Sequence, residues 1–129
     1  MESFHGQFIT GEDVGIGLAD VGVIGRETGY LVGTQQGSGD PAPMTALGVY
    51  YGIKASIRRC FGSSSLRGVS VAIQGIGHVG LCLCELLAAA GARLIVTDID
   101  QKVIGQAQNK FATEAVAPEA IYEVDAEVF

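Results

Sequence analysis

Six residues, Gly75-Ile76-Gly77-His78-Val79-Gly80, constrain this chain more than any other feature, because of what flanks them. A strand-like apolar run, Val69-Ser70-Val71-Ala72-Ile73, leads into them, and a helix-like run, Leu81 to Ala90, leads out. A second apolar run, Leu94-Ile95-Val96, then ends in Asp98, eighteen positions past Gly80. Strand, glycine turn, helix, strand and acid in that order make a dinucleotide-binding unit. Each part has a physical task. Gly75 permits a tight turn, Gly77 lets a pyrophosphate approach the backbone, and Gly80 lets helix and strand pack closely. The helix N-terminus, with His78, Val79 and Gly80 in its first turn, offers backbone N–H groups and the positive end of a dipole to the phosphates. Asp98 is placed to accept hydrogen bonds from the adenosine ribose hydroxyls. A glycine-rich turn that binds nothing is the competing reading.

At 129 residues the chain reads as one domain's worth of sequence. It can bury about two-thirds of its unfolded surface. Hydrophobic residues make up 48%, and the mean hydropathy is +0.35. No apolar stretch is long enough for a membrane span, since Glu85 and Arg93 interrupt the longest and Gly91 divides it. So much apolar surface calls for an α/β core with helices on both sides, or for a partner. The net charge of −6, with only eight lysines and arginines, leaves no basic face for nucleic acid. Met1-Glu2-Ser3-Phe4-His5 lacks the basic and apolar regions of a secretory signal, so the cytoplasm is the expected compartment. Cys82 and Cys84, two apart on a predicted helix, point to different faces. With Cys60 they read as ordinary buried thiols, and no metal site is expected.

Phe8-Ile9 reads as the end of a strand, and glycines between Glu12 and Ile24 leave any helix there weak. Gly33 to Pro43, rich in glycine and proline, reads as a loop. Met44, Leu47, Tyr51, Ile57 and Phe61 then recur at near-helical spacing, and Gly62-Ser63-Ser64-Ser65 ends that helix. Residues 69–74 predict a strand covered on both faces, residues 79–90 a helix apolar almost all round, and 93–98 a second strand. Gln101 to Phe111 is amphipathic, residues 112–119 read as a connection, and Val124 to Phe129 as the start of a third strand. The expected fold is α/β: an incomplete Rossmann-type parallel sheet, βαβα plus the start of a third strand. A doubly wound sheet needs further strands beyond the first one, so the chain reads as a segment of a larger protein.

Three blocks, in the right order and covering nearly the whole chain, carry a resemblance. They are Phe8-Ile9-Thr10-Gly11-Glu12-Asp13-Val14-Gly15, Gly37-Ser38-Gly39-Asp40-Pro41-Ala42-Pro43-Met44-Thr45-Ala46-Leu47-Gly48-Val49, and Val71 to Gly80 followed by Leu94-Ile95-Val96-Thr97-Asp98-Ile99-Asp100. This order closely resembles the leucine, valine and phenylalanine dehydrogenases of the glutamate dehydrogenase superfamily, and Thr10 to Gly15 lean toward the leucine type. The resemblance implies NAD-dependent oxidative deamination of a branched-chain or aromatic L-amino acid to its 2-oxo acid. It implies a catalytic role for Asp13, a place near the nicotinamide carboxamide for Thr45, the pyrophosphate turn for Gly75 to Gly80, and ribose binding for Asp98. Residues 1–42 would be the end of the substrate domain with an interdomain element, and 43–129 part of the NAD-binding domain. A homo-oligomer, or complementary segments, would complete it.

The departures matter as well. The family's two lysines, for substrate carboxylate and for catalysis, lie upstream of its aspartate; only twelve residues precede Asp13 here and none is lysine. His78 stands where leucine enzymes often carry asparagine, and Gln7 where they often carry arginine. Two rivals therefore stand: a catalytically inactive dinucleotide-binding remnant, and another NAD enzyme such as a 2-hydroxyacid dehydrogenase. The Thr10 to Gly15 block argues against the second. Capping of the following helix competes with catalysis at Asp13, and a plain helix-start role competes at Thr45.

Overall fold

The apolar run before the glycine turn forms strand β1 (Ser70–Gln74), the first of three parallel strands in the order β1-β2-β3. The computed structural model describes residues 1–34 and 39–129, which divide into two units, Met1–Pro41 and Ala42–Phe129. In the second unit a twenty-residue helix, α2 (Ala42–Phe61), precedes β1. After the turn come α3 (His78–Ala89), β2 (Arg93–Thr97), α4 (Gln101–Lys110) and β3 (Thr113–Ala115). Val71 pairs with Leu94 and Ile73 with Val96, and Leu94 pairs in turn with Thr113.

Successive residues of a strand point to opposite faces, and the two core clusters follow that period. Val71, Ile73, Leu94 and Val96 pack with Leu83, Cys84 and Leu87 of α3, Ile57 of α2, and Ile104 and Ala107 of α4. The alternate residues Ala72 and Ile95 pack on the opposite face with Ile121, from a short 3-10 turn at Ala120–Glu123. Both faces of the sheet are thus covered, as continuous apolar strands require. The predicted α/β parallel sheet is what forms.

Its third strand is not where the sequence places it. Residues 112–119, expected as a connection, supply β3, whereas 124–129 contribute one parallel bridge, between Val71 and Val128. Ala72 N–H donates to the Val128 carbonyl at 2.8 Å, and Val128 N–H donates to Ser70 at 3.2 Å. In a parallel strand alternate residues bond to opposite sides. Ser70 and Ala72 therefore serve Val128, while Val71 and Ile73 serve β2. The first strand has neighbours on both edges, which is the arrangement at the switch point of a doubly wound sheet.

In the first unit the chain makes a parallel bridge between Thr10 and Leu31 rather than the strand end expected at Phe8-Ile9. A seven-residue helix, α1 (Leu18–Ile24), follows Gly17, whose N–H is capped by the Asp20 carboxylate at 3.0 Å. Of the loop expected over 33–43, residues 35–38 lie outside the described residues, and Ala42 and Pro43 already belong to α2. No described helix is long and apolar enough to cross a membrane.

Candidate functional site

The turn between β1 and α3 is built on two glycines with separate requirements. Gly75 has φ +86°, a left-handed conformation open to glycine at little cost. It also continues the sheet, donating its N–H to the Thr97 carbonyl at 2.9 Å. At Gly80 a Cβ would stand 2.3 Å from the Gly75 carbonyl oxygen, so only a hydrogen fits where α3 passes the turn. Gly77 differs from both. Its φ is −67°, and a Cβ there would meet nothing within 4 Å. The protein's own packing gives no reason for glycine at 77.

Gly77 is also the N-cap residue of α3 and has no side chain to cap the first turn. Leu81 is the residue whose N–H reaches back to the Gly77 carbonyl, at 2.9 Å. The amides before it have no acceptor within the helix, and they carry the positive end of the α3 dipole. His78 and Val79 are exposed there.

Asp98 follows the last residue of β2 and is half-buried. Its Oδ2 accepts the N–H of Ile76 at 2.8 Å, and its Oδ1 accepts that of Asp100 at 2.9 Å. The acid at the end of β2 and the glycine turn after β1 are therefore in direct contact, 22 residues apart in sequence. Asp100 is itself the N-cap of α4, accepting from Lys102 N–H at 2.8 Å. Ile99 between them is almost fully exposed.

Thr45 lies in the first turns of α2 with its residue exposed, beside the fully buried Ala46. Asp13 is exposed in a tight turn, bridged to Ile16 across Gly15, and its Oδ1 accepts Val14 N–H at 2.7 Å. It does not cap α1, whose N-cap is Gly17. The cysteines correct the reading as three buried thiols, since Cys60 is exposed and Cys82 half-buried. Cys84 is buried, and burial pushes its thiol up to about 11.

Sequence reasoning missed two contacts at the ends of β1. At its carboxyl end the Gln74 amide and the Tyr122 hydroxyl are hydrogen bonded at 2.8 Å. At its start the Glu127 carboxylate accepts Ser70 N–H at 2.6 Å, and the Arg93 guanidinium donates to Ser70 Oγ. These partners are 48 and 57 residues apart, and no local pattern signals either.

Comparison with known proteins finds similarity along the whole chain. The family model for glutamate/leucine/phenylalanine/valine dehydrogenase matches residues 37–117. Leucine dehydrogenase of Geobacillus stearothermophilus is 45% identical over 132 residues, and phenylalanine dehydrogenase of Lysinibacillus sphaericus is 39% identical over 137. Each alignment takes in 100% of this chain and 36% of the relative. The crystal structure of L-tryptophan dehydrogenase from Nostoc punctiforme superposes with a TM-score of 0.73 and 40% identity, over 98% of this chain and 36% of that one. The chain spans about a third of the length of the curated relatives it matches.

Proposed function

The chain belongs to the glutamate/leucine/phenylalanine/valine dehydrogenase family, and from that premise we propose that it carries the NAD site of an L-amino-acid dehydrogenase. The reaction is oxidative deamination of an amino acid with a branched aliphatic or aromatic side chain to its 2-oxo acid. Relatives named for leucine, phenylalanine and tryptophan support that substrate range.

One observation carries the cofactor assignment: a glycine turn whose middle glycine, Gly77, faces open space at the start of α3. That cradle fits a pyrophosphate, held by the first-turn amides of His78, Val79 and Gly80. Asp98 has two carboxylate oxygens with lone pairs left over after Ile76 and Asp100, and these suit ribose hydroxyls. Thr45 is assigned to the nicotinamide carboxamide, and Asp13 to sharing the proton transfers at the substrate amine. NAD, when bound, supplies the acceptor for the hydride that leaves the substrate α-carbon. In this reading the unit Ala42–Phe129 is part of the NAD-binding domain, and Met1–Pro41 holds the end of the substrate domain.

Apolar side chains left exposed on α2, Met44 and Tyr51, are the surface on which further segments or a second copy would pack. The setting is a reducing cytoplasm, which suits three unpaired cysteines. Calorimetric titration of the chain with NAD tests the cofactor site directly. Saturable binding is expected, and its absence would overturn the assignment. For the substrate class, the full-length protein is assayed for NADH formation with leucine, phenylalanine and tryptophan. Turnover of none of them would overturn it.

A further inference from the structure

We propose that Asp98 is the positioning residue of the glycine turn, holding the Ile76 backbone in its binding geometry before any cofactor arrives. This rests on the reading of Gly75 to Gly80 as the NAD turn. Ile76 stands between two glycines, the residues with the most backbone freedom to lose. Its side chain is fully buried and fixes one side of the peptide. The other side is fixed by its N–H, which donates to Asp98 Oδ2 at 2.8 Å. A hydrogen bond to an ionised carboxylate is about twice as strong as a neutral one.

The second oxygen of the same carboxylate accepts Asp100 N–H at the N-cap of α4. One side chain therefore ties the turn after β1 to the loop after β2. Two of its lone-pair sites are used in that strut, and about two remain for ribose hydroxyls. Ribose recognition and turn geometry share one group. A substitution that empties the site to admit a 2′-phosphate also removes the strut, so cofactor choice and turn order are coupled at this position.

A ligand-and-residue double cycle separates the two roles. The chain and its Asp98→Ala and Asp98→Asn variants are titrated with NAD and with an NAD analogue lacking both adenosine ribose hydroxyls. An acid that acted only on those hydroxyls would be silent toward the analogue. The strut predicts that Asp98→Ala weakens the analogue as well, by about tenfold or more. Asp98→Asn, which keeps one acceptor oxygen, recovers part of the loss. Amide hydrogen exchange without ligand gives an independent measure: Ile76 N–H is protected in the parent chain and exchanges at least about tenfold faster in Asp98→Ala. Equal affinity of parent and Asp98→Ala for the analogue overturns the proposal, and so does an Ile76 amide that exchanges in the parent as fast as an unstructured one. If Asp98→Ala does not fold, Asp98→Asn and the parent's Ile76 amide decide. Failure of NAD to bind any of the three sinks the cofactor reading instead, and leaves the exchange measurement to judge the strut.

Discussion

At Gly80 a methyl group would sit 2.3 Å from the Gly75 carbonyl oxygen, and that atom belongs to backbone, which cannot swing aside. Gly80→Ala should therefore destabilise the fold by about 1–3 kcal/mol, the usual cost of overpacking. A denaturant midpoint equal to the parent's would contradict it. Three positions earlier the demand reverses. Gly77→Val should leave helix and strand content intact, because a Cβ there meets no protein atom within 4 Å, yet abolish NAD binding by filling the pyrophosphate's space. Circular dichroism beside calorimetry checks both halves, and a variant that still binds NAD would make the turn structural only. Asp98 should also enforce NAD over NADP. A 2′-phosphate about 4 Å from its carboxylate costs about 1 kcal/mol in water and about 4 kcal/mol at an effective dielectric of about 20. NAD should then bind between about fivefold and about a thousandfold tighter; equal or tighter NADP binding would refute the role. The sequence announces these residues because glycine spacing and a strand-end acid are local signals. It is silent on the Asp98–Ile76 bond, since that contact joins loops 22 residues apart.

Among the elements, the edge of β1 that faces Val128 is held by a titratable group. Glu127 accepts Ser70 N–H at 2.6 Å, and this backbone bond, with the Ser70 hydroxyl and Arg93 nearby, lowers its carboxyl below the ordinary value of 4.5. A carboxyl lowered by folding adds stability above its unfolded pKa and loses it as pH falls through the folded one. The Val128 bridge should hold at pH above 4.5 and loosen below it. Amide exchange at Ala72 and Val128 across that range tests this; pH-independent protection, or Glu127→Gln matching the parent, would count against it. α2, β1, α3, β2 and α4 all form close to the bounds their patterns predict, because each carries a continuous apolar run or a helical period bounded by turn residues. β3 escapes detection for the opposite reason. Thr113-Glu114-Ala115 is three residues long, only half-buried at Thr113 and Ala115, and becomes a strand by pairing with Leu94, Ile95 and Val96. The run at 124–129 looks more like a strand and makes one bridge. Pairing, not composition, decides which short segment joins the sheet.

For the molecule as a whole, binding and turnover should come apart. The 129-residue chain should bind NAD and yet form no NADH from leucine, valine or phenylalanine at mildly alkaline pH. Hydride transfer needs the substrate held within near-attack distance and a base able to take the amine proton near neutral pH. Asp13 is exposed in its turn, and residues 1–12 of the chain tested hold no lysine. The first lysine in the sequence is Lys54, on α2. Groups that act together fail together, so a chain lacking one member of a catalytic set loses orders of magnitude in turnover. The full-length protein, about three times as long if it matches its relatives, is the positive control, and the two should differ in turnover far more than in NAD affinity. Steady NADH production by the short chain would show that a residue within it supplies the base, and Asp13→Asn would then say whether that residue is Asp13.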